Sequence, residues 1–451
     1  MGVYDSVAGQ QVFGATLPNY DELQGCIRCG RCLPVCPTYQ LTQLEMFSPR
    51  GRLSLLRAVE DGILEVSAGV EEHLYHCLDC RACNTVCPPG VRIGELILRG
   101  RVAVEEKHPR SWLMKFALRH ILTGAGRAEI LSLPLRILRA LRLDSVGAFV
   151  LGWIPGLGEK VRQLVEFSPR LGSPIRGELA FVTPAQGEKR NRVAFFLGCM
   201  MNVAMPDVSR ATVRVLTRTG CEVVTPRGQM CCGAPQDDQA MYDLSREMAR
   251  HNIALFEKEL AHVDAIVTDC AGCSGALKEY GEWLHHDPAW ADRAARFSAK
   301  VRDVTEWLDA TWPEGLGLSH TPARATYHDP CHLANVQGVR RQPRDLLARV
   351  QGLDVVPLTD SFPVRCCGSA GIYNLTHTPM ALQLLERKME DVAATEADMV
   401  VSANPGCLLQ LEWGRRRNGS RAVVRHIVEV LDESLKDGPR EAAGKAFDGD
   451  K

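Results

Sequence analysis

The spacing of apolar positions divides this chain into stretches of different period. Arg52 to Glu60 (R-L-S-L-L-R-A-V-E) repeats at helical spacing. Leu131, Leu135, Leu138 and Leu141 do the same, with Arg136, Arg139 and Arg142 off the stripe. That pattern predicts an amphipathic helix packed on a core or turned toward a partner or an anionic surface. Beyond residue 190 the apolar runs become strand-like. R-V-A-F-F-L-G-C ends at Cys199, a second run covers Cys221 to Thr225, and A-I-V-T-D-C-A-G-C ends at Cys270 and Cys273. Helical stretches separate them. The same series then recurs: A-T-Y-H-D-P-C ends at Cys331, Leu353 to Leu358 follows, and M-V-V-S-A-N-P-G-C ends at Cys407. The pairs Cys199 and Cys331, Cys231 and Cys366, and Cys273 and Cys407 lie 132, 135 and 134 residues apart. A near-constant offset marks an internal duplication. Alternating strand and helix predicts an α/β unit with a mainly parallel sheet in each copy. The cysteines fall at strand ends, where open α/β sheets carry their ligand sites.

At 451 residues the chain exceeds one small core. The reading divides it into a lead-in (1–20), a cysteine-run region (21–100), a helical connector and linker (101–190), two repeated units (191–310 and 311–436), and a disordered polar tail (437–451). Pro169 to Arg192, rich in Pro, Gly and charge, reads as the linker. A formal net charge of −1 gives no global field for nucleic acid. The uncharged stretches Ser145 to Gly158 and Val193 to Pro206 are too short for a bilayer, which needs about 20 residues. Met1 to Tyr20 shows no secretory signal. Eighteen cysteines cluster in C-x-x-C and C-C groups, which argues for metal ligation in a reducing compartment. The expected location is the cytoplasm, free or peripheral on the inner membrane.

Two copies of one cysteine run stand out. Cys26, Cys29, Cys32 and Cys36 precede Pro37; Cys77, Cys80, Cys83 and Cys87 precede Pro88. These are the spacings of the bacterial 4Fe–4S run, in which the fourth cysteine ligates the other cluster. Two crossed sites follow: Cys26, Cys29 and Cys32 with Cys87, and Cys77, Cys80 and Cys83 with Cys36. A zinc ribbon would instead use two C-x-x-C pairs. Arg28, Arg31, Arg50, Arg52 and Arg81 lie near these loops, either as solvated surface or to offset cluster charge and meet an acidic partner.

Adjacent cysteines set the second constellation apart. The side chains of Cys231 and Cys232 diverge, which strains a single tetrahedral ion but suits an extended cluster with several irons. Gly233 and Gly368 let the backbone turn sharply behind each pair. The first copy carries Cys199, Cys231, Cys232, Cys270 and Cys273, which predicts an additional iron–sulfur cluster. The second carries Cys331, Cys366, Cys367 and Cys407, with Asn404 where Cys270 has its counterpart. That asymmetry predicts an altered cluster, a single metal or an empty site. His328 and His332 flank Cys331 and could donate nitrogen, although ordinary loop histidines are the commoner case. Cys221, on an apolar run without a cysteine nearby, reads as a buried structural residue.

The doubled C-C-G module resembles the cysteine-rich domain of heterodisulfide reductase subunits. Two ferredoxin runs followed by two such modules resemble the glycolate oxidase iron–sulfur subunit family. C-P-T-Y-Q after the first run, S-P-R-G-R at 48–52, K-E-Y-G at 278–281 and C-C-G-S-A-G-I-Y-N-L-T-H at 366–377 carry the likeness. Cys270 departs from that family's pattern and leans toward the heterodisulfide-reductase-like site. The resemblance implies an α+β multidomain chain: an N-terminal α-helical ferredoxin-like two-cluster domain, a helical connector, then two repeated α/β cysteine-rich domains. It implies electron relay within an FAD-dependent 2-hydroxy-acid dehydrogenase, acting on glycolate and also D-lactate. FAD would sit on partner subunits, and quinone or another carrier would accept the electrons. Related iron–sulfur subunits serve lactate and glycerol-3-phosphate dehydrogenases, and a disulfide-reducing subunit is the alternative chemistry.

The residues themselves offer no hydride acceptor. G-A-G at 124–126 follows no strand and lacks the third glycine of a dinucleotide fingerprint. No Ser/His/Asp or paired-carboxylate signature commits the chain to hydrolysis, so no catalytic residue is expected. A third class, a zinc or redox-sensing scaffold, would differ in its metal content. In the relay reading the cofactors carry the redox chemistry, and the protein sets distance, potential and docking.

Overall fold

The structure, a computed structural model, describes residues 20–109, 111–121, 123–140, 172–319, 321–358 and 366–435. Residues 1–19 of the lead-in, the stretch Ser145–Gly158, the polar tail and the side chains of the Leu131, Leu135, Leu138 and Leu141 stripe lie outside the described residues. The backbone of Ala125–Ala140 is helical. Among the described residues no helix is long and apolar enough to cross a membrane.

The cysteine-run region is a small helical assembly. Ser48 caps the helix Pro49–Glu60 by accepting from the Gly51 N–H, and Pro49 occupies its first turn. Leu53, Leu56 and Val59, at helical spacing, share one apolar cluster with Ile93, Leu96, Ile97 and Val104 of the helix Ile93–Lys107. Leu74 and Tyr75 of the helix Ala68–Tyr75 complete it.

The rest is built on two sheets. The first contains β1 (Val182–Thr183), β2 (Asn191–Phe195), β3 (Cys221–Val224), β4 (Ala265–Thr268) and β5 (Val301–Asp303), in the order β1-β3-β2-β4-β5. The second contains β6 (Ala323–Tyr327), β7 (Leu353–Val356), β8 (Met399–Ser402) and β9 (Val423–His426), in the order β7-β6-β8-β9. All neighbours are parallel except β1, which runs antiparallel to β3. Without β1 the two orders correspond strand for strand. The register corresponds too, with Phe195 opposite Val267 and Tyr327 opposite Val401. Central parallel strands are covered on both faces, which is why they read as unbroken apolar runs.

The segment read as a linker differs where it is described. Ile175 is buried in the core, and Val182 and Thr183 pair with Val224 and Val223 as an edge strand. A two-residue strand offers no period to read. One apolar core runs through both halves, joining Val193, Phe195 and Val267 to Tyr327, Leu346, Val401 and Ile427. The helix Pro206–Arg218 packs on Ile427–Ser434, and Val304–Thr311 packs on Arg341–Ala348. These are equivalent contacts made twice, as a two-fold relation requires. Arg214 pairs with Asp432 at 2.6 Å across the first, and Arg349 with Asp309 at 3.0 Å across the second.

Candidate metal centres

One cavity is lined by Cys26, Cys29, Cys32 and Cys87, with Arg28, Arg31 and Arg50 around it. Another is lined by Cys36, Cys77, Cys80 and Cys83, with Arg52 and Arg81. Each cavity draws three cysteines from one run and the fourth from the other. The loops wind tightly: Arg28, Asp79 and Arg81 hold φ at 55°, 48° and 56°, a left-handed conformation uncommon for non-glycine residues. Pro37 begins a short helix and leaves Cys36 at its N-cap.

Burial pushes the Cys32 thiol up to about 11 and raises Cys80 and Cys83 well above the ordinary value. Thiols so placed give up their protons when positive charge takes the proton's place, as metal ligation provides. Four converging sulfurs beside guanidinium groups therefore fit a thiolate-ligated cluster. The arginines divide between the two readings offered for them. Arg28 and Arg31 are exposed, whereas Arg52 and Arg81 are 1% and 5% exposed. Arg52 donates to the His73 carbonyl at 2.7 Å and to Thr38 Oγ1 at 3.1 Å. Arg81 pairs with Asp79 and Glu95.

The five thiols of the first half meet at one place. Cys199 Sγ lies 3.5 Å from Cys231 Sγ, the Cys232 side chain hydrogen-bonds with those of Cys231 and Cys273, and the Cys273 N–H donates to Cys270 Sγ at 3.3 Å. Cys231 and Cys232 turn to different neighbours. Hydrogen bonds from Cys231 and Cys273 favour the Cys232 thiolate and lower its pKa, while Cys273 is raised in turn. Gly233 and Gly368, behind the two cysteine pairs, hold φ at +87° and +88°, which disfavours any side chain there. Tyr280, from K-E-Y-G, donates to the Cys232 carbonyl at 2.9 Å, and Asn252 donates to the Cys231 carbonyl at 3.1 Å. This gives that motif a physical role: it fixes the backbone of the cysteine pair. Cys221 lies apart, fully buried on β3, and accepts from the Trp307 indole at 3.4 Å.

The second half brings Cys331 to Cys366, Cys366 to Cys367, and Cys367 to Cys407. Asn404 spans the two halves. Its amide nitrogen donates to Cys407 Sγ at 3.5 Å, while its oxygen accepts from the Gly272 N–H at 3.0 Å and from the Cys270 thiol at 3.8 Å. The two flanking histidines separate. His332 Nε2 lies 2.9 Å from the Asp79 carbonyl, facing the ferredoxin-type region. His328 is buried with a ring nitrogen among the Cys367 and Cys407 sulfurs. Burial, aided by Lys388, holds it neutral, well below its ordinary value.

The four cysteine groups form a series. Cys32 and Cys83 share one apolar cluster, and Cys80 shares another with Cys331 and Cys366. Asn335 donates to the Cys80 carbonyl at 2.8 Å. The buried Arg101 donates to the Cys77 carbonyl at 2.6 Å and pairs with Asp238 at 2.7 Å.

Residues 22–91 match the 4Fe-4S dicluster domain family, and residues 193–278 and 325–412 each match the Cysteine-rich domain family. Over 423 residues the chain is 36% identical to the "Probable glycolate oxidase iron-sulfur subunit" of Bacillus subtilis (strain 168), covering 92% of this chain and 94% of the relative. The chain belongs to the glycolate oxidase iron–sulfur subunit family. The Escherichia coli (strain K12) glycolate oxidase iron–sulfur subunit is 33% identical, with 92% and 94% covered. "Lactate utilization protein A" of Geobacillus kaustophilus (strain HTA426) is 35% identical over 53% of this chain and 98% of its own length. As a glycolate oxidase-type iron–sulfur subunit, the chain combines a 4Fe–4S domain with two cysteine-rich repeats.

Proposed function

We propose that this chain carries electrons from an FAD-binding subunit, which oxidises glycolate and also D-lactate, to a quinone or another carrier. The work is done in the cytoplasm, at the inner face of the membrane where the acceptor is a quinone. The observation that carries this reading is the succession of cysteine groups: Cys32 and Cys83 share one apolar cluster, Cys80 shares another with Cys331 and Cys366, and Asn404 joins Cys407 to Cys270. A 4Fe–4S cluster supplies one-electron transfer when bound, which suits the stepwise unloading of a reduced flavin. Cys26, Cys29, Cys32 and Cys87 would hold one cluster; Cys36, Cys77, Cys80 and Cys83 the second. The five thiols of the first cysteine-rich half would hold a further cluster, and the second half a different centre. Arg52 and Arg81 offset buried negative charge, and Tyr280 and Asn252 hold the Cys231–Cys232 backbone.

The five-thiol group also favours a second reading, reduction of a disulfide at the first cysteine-rich half. Assays of the anaerobically purified chain, with and without a flavoprotein partner, separate the two. The chain alone is expected to leave glycolate and D-lactate untouched. With the partner it should turn over, and replacing the ferredoxin-run cysteines should abolish turnover. Tightly bound flavin with turnover by the single chain would overturn the relay. Disulfide reduction without 2-hydroxy-acid activity would favour the second reading.

A further inference from the structure

We propose that His328 is a metal ligand, so that the second cysteine-rich half holds a centre with mixed thiolate and imidazole donors. The proposal rests on the reading of that half as a metal site. One argument is compactness: a His328 ring nitrogen and the Cys367 and Cys407 sulfurs all lie within 4.8 Å of one another, and all three residues are buried. Another is an unmet need. His328 is 1% exposed, and its Nδ1 is buried without a hydrogen-bond partner. A buried polar atom left so costs stability unless something binds it.

The duplication supplies the third argument. The Phe196 N–H donates to the Val267 carbonyl at 2.8 Å, and the His328 N–H donates to the Val401 carbonyl at 2.8 Å. Phe196 and His328 are thus the same position in the two sheets. Cys270 and Asn404 are another such pair, each directly preceding the helix that carries Cys273 or Cys407. The first half therefore has Phe196 with Cys270, and the second has His328 with Asn404. Where the repeat loses a sulfur it gains an imidazole nitrogen. Thiolates with one imidazole are a donor set for zinc or iron, and Cys331 and Cys366 stand beside it to complete the coordination.

The test uses the full chain purified without oxygen. Zinc and iron per chain are measured for the wild type, His328→Ala, His328→Cys and Cys367→Ser. His328→Ala is expected to lose about one zinc per chain if the occupant is a single ion. If the occupant is a cluster it should lose iron instead. His328→Cys should keep the metal, with sulfur in place of nitrogen. In the wild type, X-ray absorption at the zinc edge, or pulsed paramagnetic resonance with isotope-labelled histidine for iron, should show a bound imidazole nitrogen. That measurement decides the matter even if the variants fail to fold, and its absence overturns the proposal. Loss of metal in Cys367→Ser but not in His328→Ala leaves the metal site standing and removes His328 from it. Full metal content in Cys367→Ser would overturn the site itself.

Discussion

Cys36 and Cys87 each stand at the end of one run and line the cavity of the other. Each replacement should therefore damage the cluster of the opposite run. In reduced protein, Cys36→Ser should alter the signal belonging to Cys77, Cys80 and Cys83, and Cys87→Ser the one belonging to Cys26, Cys29 and Cys32. Paramagnetic resonance reads this directly, and two unaltered signals in either variant would refute the crossing. A different residue sets a dependence on pH. His426 is buried; its Nδ1 accepts from the Val428 N–H at 3.2 Å and its Nε2 donates to the Asp269 carbonyl at 3.1 Å. Both roles need a neutral ring, and burial brings the group from 6.5 down to about 4. The unfolded chain takes up that proton first, so the stabilisation is complete above the unfolded value and drains away as pH falls. At pH 5 the loss is roughly 2 kcal/mol. His426→Asn keeps a capping acceptor but cannot titrate there. The gap in unfolding midpoint between wild type and variant should shrink from pH 7.5 to pH 5; Asp269, whose carbonyl meets the ring, and Glu429, which accepts from the His426 backbone N–H, remain in both proteins. A constant gap would exclude this assignment.

At the scale of elements, the S-P-R-G-R turn shows what a matched motif means physically. A Cβ on Gly51 would fall 1.9 Å from the Glu45 carbonyl oxygen. Gly51→Ala should cost about 3 kcal/mol through forced displacement of that turn, seen as a lowered melting midpoint. An unchanged midpoint would mean that the turn moves freely. The two cysteine pairs make unequal demands. Cys232 sits among five thiols and Cys367 among four, so Cys232→Ser should cost more iron and more electron throughput than Cys367→Ser. Equal iron loss would argue for equivalent centres. The sequence made the duplicated strands legible because β2, β4, β6 and β8 are buried on both faces and keep their apolar runs. The cysteine groups were legible because ligand spacing is local. β1 was hidden by its length, and the burial of Arg52 and Arg81 by the elements that cover them. His328 was visible as a flank of Cys331 that could donate nitrogen, but its neighbours were not: Cys367 and Cys407 arrive from distant parts of the chain.

At the scale of the molecule, the two cysteine-rich units are not beads on a string. They share one core, and the contacts of Pro206–Arg218 with Ile427–Ser434 and of Val304–Thr311 with Arg341–Ala348 make each half a wall of the other. No periodicity reports such a seam, because it joins residues from 40 to 218 positions apart, as Arg349 with Asp309 and Arg214 with Asp432 show. The ferredoxin-type region is tied to this body through Asn335, His332 and Arg101. Its Cys80, only 8% exposed, is covered from the side of Cys331 and Cys366. The consequence concerns how the protein is made. With the proposed ligation, iron and sulfide would have to reach Cys80 before the second half settles over it, which predicts an order of biogenesis: load, then close. A chain that closes first is expected to resist later reconstitution. Adding iron and sulfide to folded apoprotein should fill the Cys26 site, whose Cys29 is exposed, faster than the Cys80 site. Equal filling rates would show that the cover opens readily.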